Sequence, residues 1–515
     1  MNQIIQISLR GIGSFGLIAG FSSFSCDSGK ESTTPNIIYI LADDLGYGEL
    51  GCYGQTRIET PNIDRLATEG MIFTQHYSGC AVSAPARCTL LTGLHSGMAQ
   101  VRSNDPMPER GDVQNYLAML ADPTLEGNRP LKAGTFTIGT MLKSVGYTTG
   151  LVGKWGLGAP GTEGLPNKQG FDFFYGYVCQ RQAHTYYPLH LWKNEERVYL
   201  NNDTVPPHTP LPEGANPFDL KSYAPYTLND YSPDLMFNEI TRFVEVNKDK
   251  PFFLYWATII PHLPLQAPKR WVDYYVNKFG DEEPYTGRKG GGGYFPNRYP
   301  RATYAAMISY LDEQVGQLIK QLKESGLYEN TLIIFSSDNG PIGPNAPWFK
   351  SASPFRNEAG YIKGSLNEGG IREPMIASWP GVIKPGSISN HISAFYDVMP
   401  TLAEITGAEI PENACGISFF PTFKGRKQQQ HEYLYWEFPG SGGQMAVRIG
   451  NLKALRKNMH KGNLKWELYD LDNDPAELTD IASTNQEIIT KVEDIVRKEH
   501  TISPYKEFSF SALGE

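Results

Sequence analysis

The stretch Asn36–Gly54, NIIYILADDLGYGELGCYG, opens on the apolar run Ile37–Ala42 and ends in two adjacent acids and a glycine-rich loop. A run this short and this apolar predicts a strand buried on both faces of a mostly parallel sheet. Carboxylates delivered at the C-terminal end of such a strand are the usual way an α/β sheet presents a site. The same arrangement recurs on either side. TPNIDRLATEG (60–70) has helical spacing at Ile63, Leu66 and Ala67 and leads into the strand-like MIFTQHYSG (71–79). TFTIGTMLKSVGYTTGLVGKWGLG (135–158) reads as helix, turn, strand and loop, and PFFLYWATIIPH (251–262) and NTLIIFSSDNG (330–340) again place polar residues after a strand. The helix in YAAMISYLDEQVGQLIKQLKESG (304–326) carries Met307, Leu311, Val315, Leu318 and Leu322 as a stripe of the kind that packs on a core. SISNHISAFYDVMPTLAEITG (387–407) predicts the last helix of this region.

Beyond Cys415 the texture changes to short alternating or aromatic runs, QQQHEYLYWEF, GQMAVRIGNLKALRKN and KWELYDLDNDPAE, closed by the helical NQEIITKVEDIVRKEH. These predict a smaller antiparallel sheet over 416–515, after a larger α/β domain over 35–415. That division agrees with the chain length, since 515 residues at about 150 per domain suggest two or three units. With 40% apolar and 20% charged residues a large core is expected, and a formal net charge of −9 argues against a nucleic-acid partner. The 52 glycines, 37 prolines and 29 tyrosines predict extensive loops, where binding chemistry commonly sits.

The N-terminus departs from this pattern. Arg10 precedes the apolar, small-residue segment Gly11–Phe24, too short for a membrane span, and Cys26 follows just before the polar DSGKESTTP. Residues 1–26 read as an export signal and 27–34 as a tether, with Cys26 at the position of a lipid anchor, although Ser23 stands where lipoprotein signals usually carry leucine. The expected location is the periplasm or outer membrane of a bacterium. Cys52, Cys80, Cys88, Cys179 and Cys415 show no CxxC pair and no zinc-ligand spacing, and spacing assigns no disulfide among them.

Asp43 and Asp44 follow one predicted strand, and Asp338 and Asn339 another. Four oxygen-bearing side chains suit a hard divalent cation better than zinc, although either pair alone reads equally well as a turn. In AVSAPARCTLLTGLHSG (81–97) Ser83 precedes Arg87 by one helical turn, so on a helix the two share a face and the guanidinium fork can hold a nucleophile or an anion. A serine hydroxyl needs a base, a metal or a chemical change before it attacks anything near neutral pH. Lys154, His262 and Lys363 lie in loops after predicted strands or in GYIKGS, and periodicity alone does not group them with the acids. The aromatics of HTYYPLHLW and YLYWEFPG, with Arg448, read either as walls for a sugar or as packing between domains.

SAPARCTLLTG (83–93), LADDLGYG, GKWGLG, SSDNG and NEGGIREP, continued by YDVMPTLAEITG and ELYDLDNDPAE, resemble the sulfatase family of the alkaline-phosphatase-like superfamily over nearly the whole chain. The resemblance implies that Ser83 is oxidised to Cα-formylglycine by a radical S-adenosylmethionine maturase, a transient partner. It implies a Ca2+ ion held by Asp43, Asp44, Asp338, Asn339 and the modified Ser83. Arg87 would then help position the aldehyde hydrate that attacks sulfur, with return to the carbonyl expelling sulfate. Lys154, Lys363 and His262 would bind the sulfate and assist the leaving group, with His262 the favoured acid. The expected substrate is a sulfated carbohydrate, of a galactose or N-acetylgalactosamine type attacked at a chain end. The family often reads Gly-Lys-Trp-His-Leu-Gly where this chain has GKWGLG, so Gly156 stands in place of a histidine, and His184 is the candidate replacement. The competing readings are a phosphomonoesterase or phosphodiesterase using unmodified Ser83, and a carbohydrate-binding protein without turnover.

Overall fold

Fifteen strands occur among the described residues: β1 (Asn36–Ala42), β2 (Met71–Tyr77), β3 (Thr148–Lys154), β4 (Phe173–Tyr177), β5 (His190–Lys193), β6 (Glu196–Tyr199), β7 (Phe252–Ala257), β8 (Thr331–Ser337), β9 (Arg372–Ser378), β10 (Ser387–Ser389), β11 (Ser393–Ala394), β12 (Leu434–Phe438), β13 (Gln444–Ile449), β14 (Leu452–Arg456) and β15 (Glu467–Asp470). The computed structural model describes residues 34–287 and 293–515, so the export-signal reading of 1–26, the anchor at Cys26 and the tether up to residue 33 lie outside the described residues.

Eleven strands form one sheet in the order β10-β2-β9-β8-β1-β7-β3-β4-β5-β6, with β11 beside β2. At its centre β8, β1, β7, β3 and β4 run parallel. β9 runs antiparallel to both β8 and β2, and β5 and β6 close the other side as an antiparallel pair. Every residue of β1, β7 and β8 is buried, as their unbroken apolar runs predict for strands covered on both faces. Helices supply the cover. On one face the Pro300–Glu324 helix buries Met307, Leu311, Val315, Leu318 and Leu322 against Ile38, Ile40, Trp256 and Ile333. On the other, the Ser83–Thr92 and Val398–Thr406 helices pack with Tyr39, Leu332 and Phe253.

Parallel strands all point their C-terminal ends one way, so the segments following β1, β3, β7 and β8 emerge side by side at one edge. These segments contain Asp43 and Asp44, Trp155 and Gly156, His262, and Asp338 and Asn339.

The smaller sheet is antiparallel, β12-β13-β14-β15, and the Gln486–Glu499 helix lays Val492 and Val496 on Tyr435, Met445 and Val447. It begins at Leu434 rather than at 416. Phe419, Phe420 and Phe423, between the two, pack into the core of the large sheet. Thr34–Glu515 form one compact unit. The aromatic stretches considered as sugar walls are packing instead. Tyr186, His190 and Trp192 are buried, as are Tyr435, Trp436 and Phe438, and the Trp436 indole donates to Ser78 O at 2.8 Å. Arg448 is buried too, donating to Tyr77 Oη and Gln75 Oε1. The five described cysteines are free.

Candidate active site

Ser83 is the first residue of its helix, and extended Val82 precedes it. Pro85 sits in the first turn, where a missing N–H costs nothing, and Gly93, at φ 67°, ends the helix in the left-handed conformation that favours glycine. The whole helix is buried, and the one-turn spacing places Ser83 and Arg87 against the end of β1. Ser83 Oγ donates to Asp43 Oδ1 at 3.0 Å. Lys154 Nζ donates to Asp43 Oδ2 at 2.6 Å and to Ser83 Oγ at 3.4 Å. Arg87 donates from Nη2 to Asp338 Oδ2 and from Nη1 to Lys154 O, each at 2.8 Å.

Asp44 has φ 66°, a left-handed conformation that aspartate tolerates better than most side chains. Its N–H donates to Asp338 Oδ1 at 3.1 Å, and its carboxylate accepts from Asn339 Nδ2 and Lys363 Nζ, each at 2.8 Å. His262 Nδ1 lies 2.6 Å from Leu263 O, and its Nε2 lies 3.6 Å from Asp44 Oδ2. The bond to a carbonyl requires the proton on Nδ1 and leaves Nε2 bare in the neutral ring.

Three acids and three cations thus share one dry cluster, and their titration follows from who faces whom. Burial opposes ionisation of Asp43, but Lys154, His262, Arg87 and Lys363 outweigh it and hold its carboxyl far below the usual range. Asp338 is pushed up to about 6 by burial and the Asp43 charge, with Arg87 pulling the other way. Burial also raises Asp44 against the pull of Lys363. His262 is lowered well below its ordinary value by burial and the charges of Lys363 and Lys154.

The predicted cation ligands Asp43, Asp44, Asp338 and Asn339 therefore converge beside Ser83, and one further observation bears on whether they suit a metal. Asn339 Oδ1 is buried without a hydrogen-bond partner. A free amide oxygen on a side chain whose Nδ2 bonds Asp44 adds a hard donor to the carboxylates, a set of the kind that suits calcium. Among the described residues, Asp43, Asp44 and His262 bring one ligand atom each within 4.8 Å of one another, so His262 borders the same position.

His184 is brought to the site, but not to Gly156. Its ring stacks on His262 at 5.3 Å between centroids, and its Nδ1 lies 3.1 Å from His208 Nε2. The space over Gly156 belongs to Gln180, whose Nε2 would sit 2.1 Å from a Cβ built there. Gln180 carries no spacing or motif signal in the sequence. Gln444 was equally silent. From β13 its Nε2 donates to Gly364 O at 2.8 Å and its Oε1 accepts from Leu366 N at 3.0 Å, pinning the loop that carries Lys363.

A family profile described as Sulfatase matches residues 35–408, and one described as N-sulphoglucosamine sulphohydrolase, C-terminal, matches residues 358–501. Human arylsulfatase A is 31% identical over 82% of this chain and 74% of its own length. The N-acetylgalactosamine-6-O-sulfatase of Bacteroides thetaiotaomicron is 29% identical over 92% of this chain and 95% of its own. Among solved structures, Ps i-CgsB superposes with a TM-score of 0.71 at 28% identity, covering 93% of this chain and 96% of that one. The same enzyme has also been solved with k-i-k-neocarrahexaose.

Proposed function

Since the chain belongs to the sulfatase family and is a sulfuric ester hydrolase, we propose that it removes sulfate from a glycan, at a chain end of galactose or N-acetylgalactosamine type, using formylglycine at position 83 and a calcium ion. The relatives named as N-acetylgalactosamine-6-sulfatases and the neighbour solved with k-i-k-neocarrahexaose support this substrate class. The observation that carries the chemistry is the placement of Ser83 Oγ between Asp43 Oδ1 and Lys154 Nζ, at the end of the strand that delivers Asp43 and Asp44.

Asp43, Asp44, Asp338 and Asn339 would hold the calcium, with residue 83 completing its shell. When present, the cation supplies Lewis acidity and formylglycine supplies, as its hydrate, a nucleophile that can also release sulfate. The chain's own groups do the rest. Arg87, fixed by Asp338 and Lys154 O, orients the side chain at 83. Lys154 and Lys363 oppose the negative charge of the sulfate ester, which is worth most in a water-excluded site. Protonation of the leaving oxygen falls to His262, in its imidazolium form, or to Lys363.

A serine phosphatase on this scaffold would need a second cluster of acids and histidines, and the single group of Asp43, Asp44 and His262 among the described residues does not favour it. Export through residues 1–26, with a lipid anchor at Cys26, belongs to the same proposal and is read by fractionation of the bacterial cell. The deciding experiment is coexpression with a radical S-adenosylmethionine maturase, followed by peptide mass analysis and paired sulfate-ester and phosphate-ester assays. The peptide containing Ser83 is expected to lose two hydrogens, and sulfated sugars alone to be turned over. An active enzyme whose Ser83 peptide keeps its unmodified mass would reject the mechanism.

A further inference from the structure

Gln180 lies in the loop after β4 and is only 7% exposed. Its backbone N–H donates to Asn128 Oδ1 at 2.9 Å, but its side-chain Nε2 is buried and makes no hydrogen bond. Folded chains rarely leave such a donor unpaired, because the lost water contacts are not replaced. The position of this amide suggests what would replace them. β4 runs parallel to β3 with Tyr177 opposite Lys154, so the two following loops leave the sheet together, and Gly156 N–H donates to Val178 O at 3.1 Å. Lys154, just before Gly156, reaches Asp43 and Ser83, while His184, just after Gln180, stacks on His262. The unpaired amide is bracketed by both segments that enter the site.

Gly156 is the complement of that amide. Its φ is +81°, a conformation L side chains rarely adopt, and a Cβ there would overlap Gln180 Nε2 at 2.1 Å. Glycine at 156 leaves the space that the amide fills.

We propose that Gln180 is a sulfate-binding residue whose Nε2 donates a hydrogen bond to an oxygen of the substrate's sulfate group, and that Gly156 is glycine to admit it. The inference rests on the sulfatase reading. An amide neither gives up nor accepts a proton near neutral pH, so Gln180 holds the anion without serving as acid or base. Whatever proton path sulfate release follows, it does not run through this position.

The test measures inorganic sulfate binding by calorimetry on the full chain with unmodified Ser83, so that it does not depend on turnover. Gln180→Leu keeps the approximate volume and removes the donor. It is expected to weaken sulfate binding about tenfold or more, the effect of losing a hydrogen bond to a charged group, while the thermal midpoint stays level or rises because an unpaired polar group has gone. Gln180→Glu should bind more weakly still through repulsion. Gly156→Ala should lose affinity by displacing the amide, and adding Gln180→Leu to it should cost little more. Equal sulfate affinity in the wild type and Gln180→Leu overturns the proposal. So does a fall in midpoint that accompanies the loss of affinity, since that marks a packing role. The Ser83 peptide mass is a separate readout, so failure of the formylglycine mechanism and failure of this inference are told apart.

Discussion

Two clusters of buried charge sit at opposite ends of the NEGGIREP segment and its preceding loop, and they are built differently. In the first, Asp43, Asp44 and Asp338 face Arg87, Lys154 and Lys363. In the second, Glu368 and Glu477 face Lys453, at 2.8 and 3.0 Å, with Arg372 3.1 Å from Glu368. The second cluster joins the small sheet to the large one and is more nearly closed: Glu477 Oε2 also accepts from Asn367 Nδ2 and from the N–H of Glu368, Tyr77 Oη donates to Glu368 Oε2, and Glu477 Oε1, which faces Lys453, is left without a hydrogen bond. The first leaves Asn339 Oδ1, Arg87 Nε and, nearby, Gln180 Nε2 without partners. Both clusters bury comparable charge, so burial alone does not mark the site. The difference lies in the bonds each leaves unmade, because unmet polar capacity in a dry place is costly unless a ligand meets it.

The sharpest way to separate the two is to remove the nucleophile. Ser83→Ala, coexpressed with the maturase, is expected to lower kcat/KM at least 10³-fold, a loss typical of nucleophile deletion. Its thermal midpoint should scarcely move, since only the bonds to Asp43 and Lys154 are lost.

Matched lysine substitutions come next. Lys453→Met strands two buried carboxylates and should cost about 3–5 kcal/mol of stability, measured by denaturant unfolding, with kcat/KM of the folded enzyme unchanged. Lys154→Met should do the reverse, lowering kcat/KM about 10²-fold or more at a smaller cost in stability, because Arg87 Nη2 still faces Asp43 at 3.6 Å. If the two variants behaved alike, the contrast between a structural and a reactive cluster would collapse.

Calcium gives a smaller effect on the same contrast. A cation held at 100 times its Kd adds about 2.7 kcal/mol to the folded state, so chelation should lower the thermal midpoint of the wild type by a few degrees. Asn339→Leu should abolish that increment, whereas Lys453→Met should retain it.

The reactive cluster was largely legible in the sequence because its determinants are local. Asp43 and Asp44 end an apolar run, Asp338 and Asn339 end another, and Ser83 and Arg87 are one helical turn apart, so each pair can be placed at the end of its own element, while grouping the pairs into one site took the resemblance to the sulfatase family. Parallel strand order then brings the pairs together; the alternating strand and helix pattern announced a parallel sheet but not the order of its strands. Gln180, Gln444 and the Glu368–Lys453 pair were not legible. Gln180 depends on the left-handed turn at Gly156, and Gln444 bonds to backbone atoms, which carry no residue signature. Lys453 of the small sheet meets Glu368, just before β9 of the large one, across 85 residues of chain. Sequence alone does not place His184, whose ring stacks on His262.

The smallest effect is in acid. Burial opposes ionisation of Glu368, but Lys453, Arg372 and Arg448 outweigh it and hold its carboxyl at about 2, against about 4.5 in the unfolded chain. A carboxyl depressed on folding stabilises above its unfolded value and loses that contribution as pH falls toward the folded one. The window is therefore pH 4.5 down to about 2. Glu477 works in the opposite sense, since burial raises it despite Lys453 and the charge of Glu368 raises it further, and its contribution changes above pH 4.5, outside this window. A loss on the order of 2 kcal/mol across the window is expected. In Glu368→Gln, referred to its own stability at pH 6, the stability curve should be correspondingly flatter between pH 4.5 and 2. An unchanged slope would mean that the cluster joining the sheets keeps its charge balance by protonating some other group, and that its closure is less complete than its hydrogen bonds indicate.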